Sequence, residues 1–301
     1  MKVFIEQTPI DAKIEKAVAT DRAGGQADSL HVTLEDGRLL AQWEIRQGLR
    51  VELEDGGFST GEMELEDVTA RGGRVTLSAV SLARAARREG WNCFENVTLY
   101  DLLRIGAKEM GLSGVTLYGV KGETTLRRVV RRGQSWPRFL AHVMTLEGAT
   151  LKIADGRLLA IDYAAFFAES GAQTKLEAES RPNLFRTPKY RSLTVRTGTI
   201  CAKAEDAAVA GNAGRTVTDE QIYSAQQAMR AARGLLMQAN MASEIYTRET
   251  ELDTGLAAMS RVKVLGSGAE SGKWFVRTCM HDFVGRKTTL ELCRPIETIR
   301  I

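Results

Sequence analysis

The sequence predicts a mainly β protein, α+β overall, with a β unit at each end and a small α+β insert between them. Three observations carry this. Apolar and polar residues alternate with period two over residues 1–88 and again from Tyr190 onward, the pattern of half-buried strands. Between 89 and 163 the apolar period lengthens to three and four, the mark of helices. A long run over 219–241 repeats that helical spacing inside the second β unit.

In the first unit, Leu30, Val32 and Leu34 alternate with Ser29, His31 and Thr33, and Glu35-Asp36-Gly37 supplies turn chemistry. Leu49, Val51 and Leu53 form a second alternation, closed by Asp55-Gly56-Gly57. Residues 62–68 alternate again, and Arg71-Gly72-Gly73 turns the chain into Val75, Leu77 and Ala79. Short strands with turns at this spacing point to an antiparallel sandwich or barrel over 1–88.

The insert, 89–163, begins its helical part at Thr98, where Asp101 three residues on resembles a capping box. Leu99, Leu102, Leu103, Gly106, Ala107 and Met110 follow, and Gly111 suits the end of the helix. Ser135 starts a second helix through Phe139, Leu140, Val143 and Met144, with Pro137 in its first turn and Gly148 at its stop. Residues 150–153 and 158–161 around Asp155-Gly156 make a hairpin with a type I′ turn.

Residues 164–182, rich in Ser, Glu, Gly and Lys toward their end, read as a linker or exposed loop. The second β unit is 183–301. Leu193, Val195 and Thr197 alternate, and 203–215 reads as a mobile loop of Ala, Gly, Asp and Asn. Thr218 and Gln221 form a capping box for helix 219–241, whose stripe of Ile222, Ala225, Met229, Ala232, Leu236 and Ala239 is expected to pack on the second unit. Three strands end the chain, at 261–265, 274–279 and 288–292.

Composition limits the function. The 301 residues (33.1 kDa) are 44% apolar and 26% charged, which excludes a wholly disordered chain. Lys+Arg 41 against Asp+Glu 38 leaves a net charge of +3, too small for a DNA-coating protein. Cys93, Cys201, Cys279 and Cys293 have no zinc-knuckle spacing and read as apolar core residues of a protein made in a reducing cytoplasm. Residues 1–6 do not form a signal peptide, and no apolar run is long enough for a membrane span.

Each candidate site has a plain structural reading beside it. His281-Asp282 near Cys279 is the cluster that could suggest metal or catalytic chemistry, but no third ligand stands nearby in sequence. His31 is an outward strand position and His142 lies on a helix. Glu52, Glu54, Asp55, Glu62, Glu64 and Glu66 read as solvated strand faces and turns. The run Arg127, Arg128, Val129, Val130, Arg131, Arg132 is either a phosphate-binding face or a solvated strand edge. With Trp136 its one nearby aromatic, a protein-contacting rim is the expected role.

The order of several segments resembles the phage late control protein D family, hub proteins of contractile-tail baseplates, and the hub part of type VI secretion spike proteins. Those segments are Ala27-Asp28-Ser29-Leu30, Trp43, 48–53, Phe58 and Gly61; then 98–103, Gly111-Leu112, Gln134-Ser135-Trp136, Phe139-Leu140, Gly148 and Asp155-Gly156; then 261–264, 272–276 and 289–292. They are packing and turn residues, and their order carries the resemblance across nearly the whole chain. The loop 204–215 and the stretch near Ala168 depart from it.

The resemblance implies two tail-tube-like antiparallel β-barrels, one with a long packed helix, joined through the insert. It implies a structural homotrimer of pseudo-hexameric symmetry that adapts a hexameric tail tube to a trimeric spike. Expected partners are spike, tube, tape measure and other baseplate proteins, with nucleic acid only passing through the channel and no membrane anchor. The expected location is the tail baseplate of a virion or phage-like particle, made in the host cytoplasm. No catalytic, cofactor or metal residues are expected, and the end at Ile301 after the last strand leaves no appended hydrolase. The alternatives are a cell-wall hydrolase in the insert and a DNA-binding module acting through Arg127, Arg128, Arg131 and Arg132.

Overall fold

The structure is a computed structural model and describes residues 1–35, 44–169, 173–219 and 221–300. The Glu35-Asp36-Gly37 turn and Trp43 therefore fall wholly or partly outside the described residues. The mainly β, α+β class is the one the sequence predicts.

The first part of the chain forms β1 (Lys2–Ile5), β2 (Thr8–Pro9), β3 (Ile14–Arg22), β4 (Ser29–Leu34), β5 (Arg50–Asp55), β6 (Phe58–Ser59), β7 (Met63–Arg71) and β8 (Arg74–Val80). Their inward residues are those of the predicted alternation: Leu30, Val32 and Leu34 on β4, Val51 and Leu53 on β5, and Val75, Leu77 and Ala79 on β8. Register aligns these rows, with Val32 opposite Leu77 and Leu30 opposite Ala79. One-residue slippage would turn every one of them to solvent, so the burial pattern itself specifies the pairing.

The insert forms β9 (Gly90–Thr98), α1 (Leu99–Glu109), β10 (Gly114–Tyr118), β11 (Thr125–Gln134), α2 (Trp136–Leu146), β12 (Ala149–Ala154) and β13 (Arg157–Asp162). Thr98 caps α1 by accepting from the Asp101 N–H at 3.1 Å and donating to its carboxylate at 2.7 Å. Asp155 and Gly156 both take positive φ, 50° and 66°, as a type I′ turn requires. Leu102, Leu103, Phe139, Leu140, Leu151 and Leu158 centre its core. Leu82 and Ala86, placed by sequence in the first unit, belong to this core.

Residues 164–182 are not simply a linker. They hold most of α3 (Tyr163–Ala168), capped by Asp162, and β14 (Thr174–Glu177). Phe166 is buried, and the α3 aromatics surround Phe275 with ring centroids 5.3–6.4 Å away. The polar composition of the later residues concealed a short apolar turn at their start.

The remaining elements are β15 (Asn183–Arg186), β16 (Ser192–Thr197), β17 (Ile200–Asp206), β18 (Gly214–Thr218), α4 (Ala225–Met241), β19 (Glu244–Glu251), β20 (Arg261–Leu265), β21 (Gly272–Asp282), β22 (Lys287–Cys293) and β23 (Ile299–Arg300). The expected mobile loop 203–215 overlaps β17 and β18. Ala202, Ala204 and Asp206 alternate inward, a strand pattern that small side chains made hard to read. Strand β19 was not predicted from the sequence.

Helix α4 is shorter than the predicted 219–241. Thr218 ends β18, and Ser224 caps the helix by accepting from the Gln227 N–H at 3.1 Å. Gln221 instead accepts from the Val130 N–H at 2.9 Å. Ile222, Ala232 and Leu236 are buried as expected, but Met229 is 41% exposed. The true packing face is Ala228, Ala231, Ala232 and Leu236, set against Leu193, Val195 and Ala204 of the four-stranded sheet β18-β16-β17-β23. A second face carries Gly234 against α2. Two-sided packing leaves Met229 on the remaining solvent side.

The two β units are hydrogen-bonded into one sheet. Strand β21 pairs with β20 in its first half and with β3 in its second, with Cys279 opposite Asp21 and His281 opposite Ala19. The register against β22 shifts between Val276 and Thr278, at the point where β21 passes from one partner to the other. The resulting sheet has 14 strands along the main order β15-β19-β22-β21-β3-β4-β8-β7-β5-β1-β2, with side branches. The two β units are thus joined edge to edge, and in place of two expected barrels the strand pairings among the described residues close none. Among the described residues, no helix is long and apolar enough to cross a membrane.

Candidate functional site

His281 lies buried on β21. Its Nδ1 is 2.9 Å from the Thr288 hydroxyl and its Nε2 is 3.1 Å from the Leu256 carbonyl oxygen. Burial holds its pKa below the ordinary histidine value. Cys279 Sγ is 3.4 Å from the same Nε2 and from the Leu256 carbonyl oxygen. Burial pushes the Cys279 thiol up to about 12, the opposite of what a nucleophilic thiolate needs. Asp282 turns away and accepts the Val284 and Gly285 N–H groups of the β21–β22 turn. The cluster is a satisfied core contact. Among the described residues, no group of three or more His, Cys, Asp or Glu side chains is placed to hold a metal.

Of the other cysteines, Cys293 is buried while Cys93 and Cys201 are exposed, so the expectation of four core cysteines holds for two. His31 is exposed beside the Ser78 hydroxyl, and His142 pairs with Asp219 at 3.1 Å. The strand-face acids carry local contacts: Glu52 with Ser59, Glu62 with Gln7, Glu64 with the Arg84 N–H, Glu66 with Arg87, and Asp55 with Arg286.

The arginine run falls on β11 and is divided by burial. Arg127, Arg128 and Arg132 are exposed, whereas Arg131 is buried with its guanidinium 4.5 Å from the Trp136 ring centroid. Its Nε and Nη1 have no hydrogen-bond partner, and burial lowers its pKa. Gly90 on β9 leaves the space this guanidinium fills. One of the four arginines thus stacks in the insert instead of facing a phosphate backbone.

Two features were not legible beforehand. One is a charged junction. Lys152 of β12 donates to both oxygens of Asp21 on β3, at 2.6 and 2.8 Å, and to the Ala258 carbonyl at 3.1 Å. The Ala258 N–H donates to Asp21 in return, at 2.9 Å. The insert, the first unit and the 252–260 loop of the second unit are held by this one set of bonds. Only distant pairing brings Asp21, Lys152 and Ala258 together, so no local motif could reveal it.

The other feature is apolar. Trp91 is 75% exposed and Phe185 is 58% exposed, the largest values among the described large hydrophobic residues. Trp91 lies on β9, half of the two-stranded ribbon β9–β11, and Phe185 lies on β15, at one end of the large sheet. Among the described residues neither β9 nor β15 pairs with a second strand, and an exposed aromatic on such an edge combines an apolar anchor with free backbone donors and acceptors.

No family model and no curated protein matches the sequence. Solved structures do match the fold. The 43 kDa tail protein of prophage MuSo2 from Shewanella oneidensis aligns over 99% of both chains with a TM-score of 0.75 and 15% identity. A tail protein from Neisseria meningitidis MC58 aligns over 99% of this chain and 97% of that one, with a TM-score of 0.77 and 14% identity. This chain has the fold of phage tail proteins. The same tail-protein fold extends to a type VI secretion component from E. coli, described as similar to the T4 tail proteins gp27 and gp5. That match covers 97% of this chain and 76% of the other, with a TM-score of 0.60 and 11% identity.

Proposed function

We propose that this chain is a structural, non-enzymatic baseplate hub of a contractile phage tail or phage-like particle. The observation that carries the reading is the tail-protein fold shared over 99% of both chains with the MuSo2 protein. The residue-level reading agrees. The one histidine–cysteine cluster is a buried core contact, and exposed aromatics mark two strand edges.

In this role three copies form a ring through heterologous contacts that close on themselves. Each chain contributes two β units, so a trimer presents six to a hexameric tube on one side and meets a trimeric spike on the other. The partners are spike, tube, tape measure and other baseplate proteins, and the location is the tail baseplate. The split arginine run favours a protein-contacting ribbon over a DNA-binding face.

Native mass by sedimentation, over a range of concentrations and with the spike protein of the same particle, tests the reading. A species near three times the 33.1 kDa chain, growing when spike is added, is expected. A strict monomer under every condition overturns the ring. Clearing of purified cell walls by the protein overturns the non-enzymatic reading.

A further inference from the structure

A cleft of about 810 Å³ lies between α4, the four-stranded sheet and the β3–β21–β22 part of the large sheet. Leu235 and Ala239 of α4 and Phe275 of β21 give it apolar lining. Its charged lining is unbalanced: Arg22, Arg215 and Arg277 stand against Glu291 alone. Arg277 is paired with Glu291. The Arg22 guanidinium donates to the Ser29 hydroxyl at 3.1 Å, while Asp28 takes only the Arg22 backbone N–H. The Arg215 guanidinium stands 6.0 Å from the Tyr190 ring centroid. Two cations of the cleft thus have no carboxylate partner among the described residues. A concave site lined by one sign of charge focuses its field on whatever enters.

The second observation is a strand edge. β18 ends its sheet, and among the described residues it pairs with β16 only. Arg215 and Val217, two apart on β18 and so on one face, line the cleft with Leu193, the partner of Arg215 on β16. The edge that lacks a partner therefore borders the cleft that lacks anions. β18 is five residues long, a span of roughly 17 Å that a short extended segment can match.

We propose that this cleft takes an acidic, extended segment of a partner protein, which adds a strand beside β18 and sets carboxylates against Arg22 and Arg215. Main-chain bonds to an edge strand supply affinity, and alternate side chains supply selection. Here one row of the segment is apolar, meeting Val217, Leu235 and Ala239, and carboxylates between them meet the guanidinium groups, whose forked donors match a carboxylate. The apolar lining and the strand edge favour a peptide over a nucleic-acid backbone, which has neither strand donors nor an alternating apolar row. The site is complete within one chain, so the proposal does not rest on the hub reading.

Fluorescence titration of the full chain tests it. The probe is a blocked, labelled peptide of alternating Glu and Val, long enough to span β18. Saturable binding that weakens with rising salt is expected. The same peptide with Gln in place of Glu should bind roughly tenfold or more weakly, and so should the acidic peptide to Arg215→Glu. Arg196→Glu, on an exposed position of β16 outside the cleft, should bind as the wild type does. Hydrogen exchange should show new protection at 214–218 when the acidic peptide is bound. No binding, equal binding of the Gln peptide, or indifference to Arg215→Glu overturns the proposal. Binding without protection of 214–218 overturns the added strand. A single-stranded oligonucleotide that binds where the acidic peptide does not overturns the choice of partner.

Discussion

Gly234 of α4 passes over the carbonyl oxygen of Thr145, near the end of α2, so closely that a Cβ on Gly234 would overlap it. The same Cβ would stand 2.7 Å from the Gly148 nitrogen. Backbone atoms cannot rotate aside, so the helices must separate to admit a methyl group. Arg230 and Glu147 bridge the same crossing at 2.5 Å, and His142 pairs with Asp219 beside it. The long helix is therefore clamped to the insert as well as to its own sheet.

Gly234→Ala should accordingly destabilise the chain by about 2 kcal/mol, although alanine is the better helix former. Thermal or chemical unfolding checks it. An unchanged midpoint would mean that the two helices do not touch there.

Met229 provides the contrasting case. It lies one turn before the crossing but on the solvent side of α4. Met229→Asp should change stability by no more than about 0.5 kcal/mol. Ala232→Asp, on the buried face against Leu193 and Val195, should cost several times as much. Equal effects of the two substitutions would contradict the helix's orientation.

The helix shows where the sequence was legible and where it was not. Alternation on β4, β5 and β8 is carried by large aliphatic side chains, and those strands are placed as read. The Asp155-Gly156 turn and the Thr98 cap are local chemistry and were equally plain. On α4 the packing face is mostly alanine, and alanine also occupies exposed positions such as Ala225 and Ala242. Period alone could not separate the two faces, so Met229 was drawn into the wrong stripe. The β3–β21 pairing and the Lys152–Asp21 contact depend on residues more than a hundred positions apart, and a single sequence carries no local mark of either.

Lys152→Met should cost about 3 kcal/mol or more, because it removes the ammonium and leaves the half-buried Asp21 carboxylate without its ion-pair partner, near Asp28, whose carboxyl pKa is already raised by burial and by the Asp21 charge. Adding Asp28→Asn to that variant should restore part of the loss, since one carboxyl can no longer ionise. A double-mutant cycle by chemical denaturation measures the coupling. Strictly additive losses would show that Asp28 and Lys152 do not share the site.

His281 predicts a loss of stability toward acid. Its folded pKa lies below the unfolded value because the ring is buried. The unfolded chain then binds the proton more readily, so stability is full above about pH 6.5. It falls as pH drops from there toward the folded value. His281→Gln, which can still bond the Thr288 hydroxyl and the Leu256 carbonyl, should flatten the acid side of the stability profile. An unaltered acid slope in the variant would assign that slope to other groups.

Trp91 and Phe185 test whether the exposed edges serve assembly. Each is more than half exposed and rests on a strand that has one pairing partner among the described residues. Replacing either by Ser removes little buried area within the chain, so unfolding of the monomer should shift by less than about 0.5 kcal/mol. An aromatic anchor buried in a partner is worth about 2 kcal/mol or more, so the same change should weaken association by roughly thirtyfold. Sedimentation of both variants beside the wild type separates the two effects. Loss of the larger species with monomer stability retained would place the partner on that edge. Unchanged association in both variants would move the interface to another face of the molecule.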